Sequence, residues 1–243
     1  MSPEIILILA GALLGGFVNG LSGFGTTLVA LPFWLHAVSP IVAAQLGAAG
    51  GIVGHIQALP SIWPLVTWRT VRPYILAGLI GVPIGTTLLP LLDPRLFKLA
   101  VGCVIVLFCI FQLAGKDRLR VTGGGQVADA AIGFIGGFLG GLAGMSGPVP
   151  TMWASLRGLA KVEKRVLFLM FNGTILSAML VASAMQGLLS WDFGRALLIS
   201  IPASLIGANL GTWAYHRLDA KRYNHLVLTL LLLSGISLLW GNL

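Results

Sequence analysis

From Tyr74 to Leu92, and again from Val166 to Leu189, the chain runs without a single charged side chain. An α-helix rises 1.5 Å per residue and the hydrocarbon core of a bilayer is about 30 Å thick, so about 20 such residues suffice to cross it. Further apolar runs lie at Ala43–Ile62, Leu96–Ala114 and Leu226–Trp240 with its flanks. Strand-like alternation is absent, and the composition agrees: 57% of the 243 residues are hydrophobic and 9% charged, against roughly 25% charged in a soluble domain. The sequence therefore predicts an all-α integral membrane protein. Its opening, MSPEIILILAGALLGG, lacks the basic start of a secretory signal and is expected to be the first membrane segment.

The net charge of +8 does not imply nucleic acid here, because basic residues in a membrane chain mark cytoplasmic loops. Cys103 and Cys109 share one apolar segment and read as packing residues, with no disulfide framework, metal or cofactor expected.

The chain repeats itself. GGFVNGLSG, from Gly15, matches GGFLGGLAG, from Gly136, at an offset of 121; Trp68 and Arg72 match Trp191 and Arg195 at 123; LIGVPIGTTLLPLLDPR, from Leu79, matches LIGANLGTWAYHRLDAK, from Leu205, at 126. Three blocks in one order indicate a tandem duplication, with residues 1–118 as the first membrane repeat and 119–243 as the second, together one transmembrane domain. Each repeat reads as five hydrophobic segments, at about 4–22, 25–37, 40–62, 72–92 and 95–115, then 126–143, 147–157, 163–189, 194–214 and 222–241. An odd number per repeat inverts the second. All but three of the fifteen basic residues fall on one side of such a topology, the three being Arg95, Lys98 and Arg195, which places both termini outside. The second segment of each repeat is short. Gly147–Arg157 reaches roughly 16 Å as a helix, so the first two segments of each repeat read as a re-entrant hairpin or as separate crossings, giving 8 to 10 membrane segments. Irregular backbone at that depth must be buried in protein or line a cavity.

The two breaks, NGLSGFGTT and GLAGMSGPVP, are where function is expected. A short helix starting there presents free amides and the positive end of its dipole, which suits an anion, and inverted repeats bring two such ends together near the midplane. The candidate substrate-binding residues are Asn19, Ser22, Gly23, Gly25, Thr26 and Thr27 from the first break and Gly144, Met145, Ser146 and Gly147 from the second. Gln45, Asn172 and Thr174 join them as polar groups inside spans, with interhelical hydrogen bonding as the competing role. His55, a titratable side chain deep in a span, reads as a proton-coupling group or as a neutral packing residue. The flanking glycines, Gly11–Gly20 and Gly133–Gly141, read as close helix packing. Asp129 suits a helix-dipole role and Asp93 and Asp219 surface caps or pairs; Trp68 and Trp191 are expected at the interfaces. Enzyme chemistry finds no motif: no phosphate loop, no dinucleotide fingerprint and no catalytic dyad at depth.

These residues also carry a family likeness. GFVNGLSGFGTTLVALP, GGFLGGLAGMSGPVP, the FNGT around Asn172, and the pair GVPIGTTLL and GANLGTWAY resemble the TauE/SafE family of sulfite exporters over essentially the whole chain. The resemblance implies a multi-pass permease of a bacterial or archaeal inner membrane, moving sulfite, thiosulfate, a sulfonate, sulfoacetate or another organic anion. Thr26, Thr27 and Gln45 depart from the commoner family pattern and bear on specificity. The partners expected are a small anion, the lipid bilayer and, as an open option, a second copy of the chain in a homodimer. A gated anion channel and an intramembrane enzyme acting on an anionic lipid or sulfur compound are the alternatives.

Overall fold

The computed structural model describes residues 2–22, 25–113, 121, 123–217 and 220–240, with a few side chains inside these ranges, Ser22 among them, left out. The described residues form ten α-helices and no strand: α1 Pro3–Ser22, α2 Thr26–Trp34, α3 Pro40–Ile62, α4 Trp68–Leu88, α5 Pro94–Leu113, α6 Gly125–Ala143, α7 Pro148–Leu156, α8 Lys161–Met185, α9 Trp191–Arg217 and α10 Ala220–Trp240. Single tight turns, Trp63–Leu65 and Leu89–Leu91, follow α3 and α4. Six helices, α1, α4, α5, α6, α8 and α9, are long and apolar enough to cross a membrane. The protein is a multi-pass membrane protein, and large apolar side chains such as Ile6, Leu76, Ile80 and Leu107 point outward, as a lipid-facing surface requires.

Helix ends follow local chemistry. Ser39 caps α3, its hydroxyl accepting from the Val42 amide at 3.4 Å, and Pro40 occupies the first helical position, where a missing N–H costs nothing. Asp93 caps α5, accepting from the amides of Arg95 and Leu96 at 2.8 and 3.2 Å, as expected. Its counterpart Asp219 lies outside the described residues. Trp68 and Trp191 open α4 and α9 with exposed rings. Cys103 is exposed and Cys109 buried, and both are free thiols.

The helices pair closely. Along α1 and α9, a methyl group added to Gly16 or Gly20 would run into the backbone of Ser204 or Ala208, and one on Gly207 or Gly211 into that of Leu13 or Phe17. Along α4 and α6 the same interlock joins Gly81 and Gly85 to Phe134 and Phe138, and Gly133, Gly137 and Gly141 to Tyr74, Gly78 and Val82. Four-residue spacing puts such glycines on one face, where two backbones can touch. This is the packing role expected of Gly16, Gly20 and Gly133–Gly141. It also explains the repeated LIGxxxG, whose glycines are the other half of each contact. α3 packs on α8, and α5 on α10. The core between them is filled by Trp34, Tyr74, Phe108, Phe171 and Met179, each almost wholly buried.

Candidate functional site

Helices α2 and α7 have nine residues each, about 13 Å, too short to cross hydrocarbon alone. Both start beside one recess. α6 stops because Gly144 takes φ 66°, a conformation that only glycine adopts freely. The Gly144 and Met145 amides then turn back to the carbonyls of Gly140 and Leu139 at 2.8 and 3.3 Å, a helix-closing pattern that satisfies two orphan carbonyls. Gly25, at φ 96°, stands immediately before α2 in the same way.

The recess is lined by Gly25, Thr26, Thr27 and Leu28 from the first break, Gly144 to Pro148 from the second, Gly51 and His55 from α3, and Asn172 and Leu176 from α8. Two hydrogen bonds tie the breaks into the bundle. The Thr27 hydroxyl donates to the Gly144 carbonyl at 2.8 Å, joining one break to the other. The Ser146 hydroxyl donates to Asn172 Oδ1 at 2.8 Å. Thr26 is 3% exposed, and its hydroxyl oxygen has no partner within the protein, which leaves it open to a ligand or water, as most buried polar atoms are met by some partner. His55 Nδ1 faces the Gly51 carbonyl one turn back, and since a carbonyl only accepts, that nitrogen carries its hydrogen.

α3 makes the close approach work by being narrow. Gly47 lies under the Thr27 side chain, a Cβ added to Gly50 would stand 3.2 Å from the Thr26 methyl, and Gly54 lies under the Asn19 amide.

Nine of the candidates from sequence therefore share the recess: Gly25, Thr26, Thr27, His55, Gly144, Met145, Ser146, Gly147 and Asn172. Three lie elsewhere. Asn19 is buried against Gly54; Gln45 is fully buried and donates to the Leu188 carbonyl at 3.1 Å, tying α3 to the turn after α8; Thr174 bonds back to the Met170 carbonyl at 2.8 Å. Gly23 and the side chain of Ser22 lie outside the described residues. Two of the amides expected to face an anion, those of Gly144 and Met145, are spent on closing α6. Gly51, Leu28 and Leu176 were not singled out from sequence, although Gly51 and His55 sit four apart and hence on one helix face; the sequence marks Pro148 only as a helix opener.

A second polar cluster holds the far end of α7. Asp129 of α6, 7% exposed, accepts from the Tyr74 hydroxyl and the Trp153 indole, both at 2.7 Å, and pairs with Arg157 at 3.8 Å. Arg157 also donates to the Gly123 carbonyl at 3.2 Å. Asp129 is thus a hub linking three helices, beyond the helix-dipole role read from its position. Trp34 does the equivalent for α2 with a neutral bond, its indole donating to the Ile8 carbonyl at 3.1 Å.

The model of one protein family, sulfite exporter TauE/SafE, matches residues 7–238. The chain belongs to that family. It is therefore a member of a transporter family and not of an enzyme family, and a small anion and the lipid bilayer are its partners. No curated protein and no solved structure matches the chain.

Replacing Thr27 by valine keeps its shape and removes the donor to Gly144. Thr27→Val should lower stability by about 1 kcal/mol, read as a fall in the melting temperature of the detergent-solubilised protein; an unchanged melting temperature would mean the bridge between the breaks carries no weight.

Proposed function

We propose that this TauE/SafE member moves a sulfur-containing or organic anion, such as sulfite, thiosulfate, a sulfonate or sulfoacetate, by alternating access, with the anion held near the midplane between the N-terminal ends of α2 and α7. The observation that carries this reading is the convergence of both short helices on one recess, where the buried Thr26 hydroxyl lacks a protein partner. Amides in the first turn of a helix have no intrahelical acceptor, and the positive dipole ends favour an anion.

The two halves, 1–118 and 119–243, are in our reading inverted repeats with both termini outside. Exchange of the halves supports this: α1 lies on α9 as α6 lies on α4, α2 on α10 as α7 on α5, and α3 on α8, the pattern expected of a two-fold relation. Rocking of the helices about this site, with the α1–α9 and α4–α6 pairs each moving as a unit, would expose the recess to each side in turn. Export of an anion from an inside-negative cell is favoured by about 2.3 kcal/mol per charge per 100 mV and needs no coupling ion. Uptake needs one, and His55 in the wall of the recess is the residue we assign to it. We place the protein in the inner membrane.

The test is thermal stabilisation of the purified protein by sulfite, thiosulfate, sulfoacetate, taurine, sulfate and simple carboxylates, repeated with Thr26→Val and Ser146→Ala. One or two sulfur anions should stabilise it; Thr26→Val should weaken that binding about tenfold, the loss of one hydrogen bond to a charged ligand, and Ser146→Ala should weaken it by removing the hydroxyl that holds Asn172 in place. Stabilisation that both substitutions leave untouched would move the site away from the breaks.

A further inference from the structure

Among the described residues, the walls of the recess hold no fixed positive charge. Thr26, Thr27, Ser146 and Asn172 are neutral, and His55 is the one titratable group among the residues that line it. Gly23 and Phe24, which complete the first break, are uncharged by sequence. The nearest basic residue along the chain to either break is Arg157; it follows the far end of α7 and is engaged there by Asp129 and the Gly123 carbonyl. What remains to attract an anion is two helix dipoles, each equivalent to roughly half a positive charge at its N-terminus, together with neutral donors.

Such a site discriminates by ligand charge. The cost of taking an ion out of water grows with the square of its charge, whereas its attraction to fixed dipoles grows only in proportion to the charge. A second charge therefore multiplies the cost about fourfold and the gain about twofold by these scalings. Two half-charges balance one anionic charge and leave a second uncompensated. The rest of the wall is apolar: Leu28, Met145, Pro148 and Leu176. Pro148 and Pro150 also remove two amides from the first turn of α7, so that side of the recess offers carbon more than N–H.

Resting on the location proposed above, we infer that the recess selects singly charged sulfur anions, an alkanesulfonate or hydrogensulfite, over dianions of the same size and shape. One end of the ligand meets the Thr26 and Thr27 amides and the Thr26 hydroxyl, and its alkyl group is directed toward Pro148 and Leu176. A second charge has none.

Methanesulfonate and sulfate differ by one methyl in place of one charged oxygen, which makes them the probes. The full-length protein in detergent is titrated with methanesulfonate, sulfate and thiosulfate at equal ionic strength and about pH 8, where ordinary imidazoles are neutral. Methanesulfonate should half-saturate at a concentration at least about tenfold lower than either dianion, and Thr26→Val should weaken it, each variant first being shown to elute as a single species. If sulfate or thiosulfate binds as tightly as methanesulfonate, charge selection is overturned; when Thr26→Val and Ser146→Ala weaken that dianion too, the location between the breaks stands alone. If no anion binds, or the variants leave all binding unchanged, the location fails and charge selection fails with it.

Discussion

Gly137→Leu should cost the protein its fold. The α-carbon of Gly137 lies on the backbone of Gly78, and even a methyl group there would overlap the Gly78 carbonyl and α-carbon. Backbone cannot swing aside as a side chain can, so relief requires α4 and α6 to separate. Separation would break the neighbouring contacts as well, because Gly133 and Gly141 sit one turn away on either side against Tyr74 and Val82, and Gly81 and Gly85 press back on Phe134 and Phe138. Overpacking a tight interior costs about 1–3 kcal/mol where side chains can adjust; here Gly137→Ala should reach or exceed the top of that range, and leucine should leave no monodisperse protein after detergent extraction. Gly194→Ala is the control, since a methyl on Gly194 meets nothing within 4 Å, and its melting temperature should stay at the wild-type value. A Gly137→Leu protein that elutes and melts like wild type would mean that the two helices do not lie as closely as described.

Those glycines show what a sequence can and cannot carry. Spacing alone marked Gly16 and Gly20, or Gly137 and Gly141, as a face for close packing, because period is a local property. It could not name the partner. The repeated LIGxxxG was visible as a repeat, but that its glycines complete the contact follows only from helices far apart in the chain meeting side by side. The short helices were legible for the same local reasons: glycines at Gly25 and Gly144 where φ is positive, and prolines at Pro148 and Pro150 opening α7. Both breaks sharing one recess could be expected from the duplication, whereas the roles of single polar residues could not. Gln45 and Asn172 look alike on paper, each a lone amide in an apolar span. Asn172 meets Ser146 at the recess, and Gln45 turns to the Leu188 carbonyl. Which face of its helix an isolated amide occupies is decided by neighbours 26 and 143 residues away. Asp129 is the same case, since its position near a helix start is local information and its three partners are not.

Asp129→Ala should be the most damaging polar substitution among the described residues. The carboxylate accepts two short hydrogen bonds, from the Tyr74 hydroxyl and the Trp153 indole, and faces the Arg157 guanidinium. Alanine would leave the buried Tyr74 hydroxyl and the half-buried Trp153 indole without an acceptor, and hydrogen bonds to a charged group are worth about 1.5–3 kcal/mol each. The ion pair adds little, because Arg157 is 24% exposed and 3.8 Å away, a geometry in the range of about 0–1 kcal/mol. The loss expected is therefore about 3–5 kcal/mol, read as a large fall in melting temperature. Asp129→Asn separates the terms: its amide oxygen still accepts from Tyr74 and Trp153 while the charge is gone, so it should cost about 1 kcal/mol. If asparagine is as damaging as alanine, charge and not hydrogen bonding holds the cluster. The consequence reaches the recess. Trp153 lies in α7 and Arg157 follows it, and the opposite end of that nine-residue helix begins at Pro148 in the wall of the recess. A helix released at one end is less well fixed at the other, and a preorganised site loses affinity when its supports loosen. Trp153→Phe, which removes the bond from α7 itself to Asp129 and never touches the anion, should therefore weaken anion binding several-fold in a protein that still elutes as a single species. Unchanged affinity in that variant would show that α7 is positioned by its apolar contacts with α5, α6 and α8 alone.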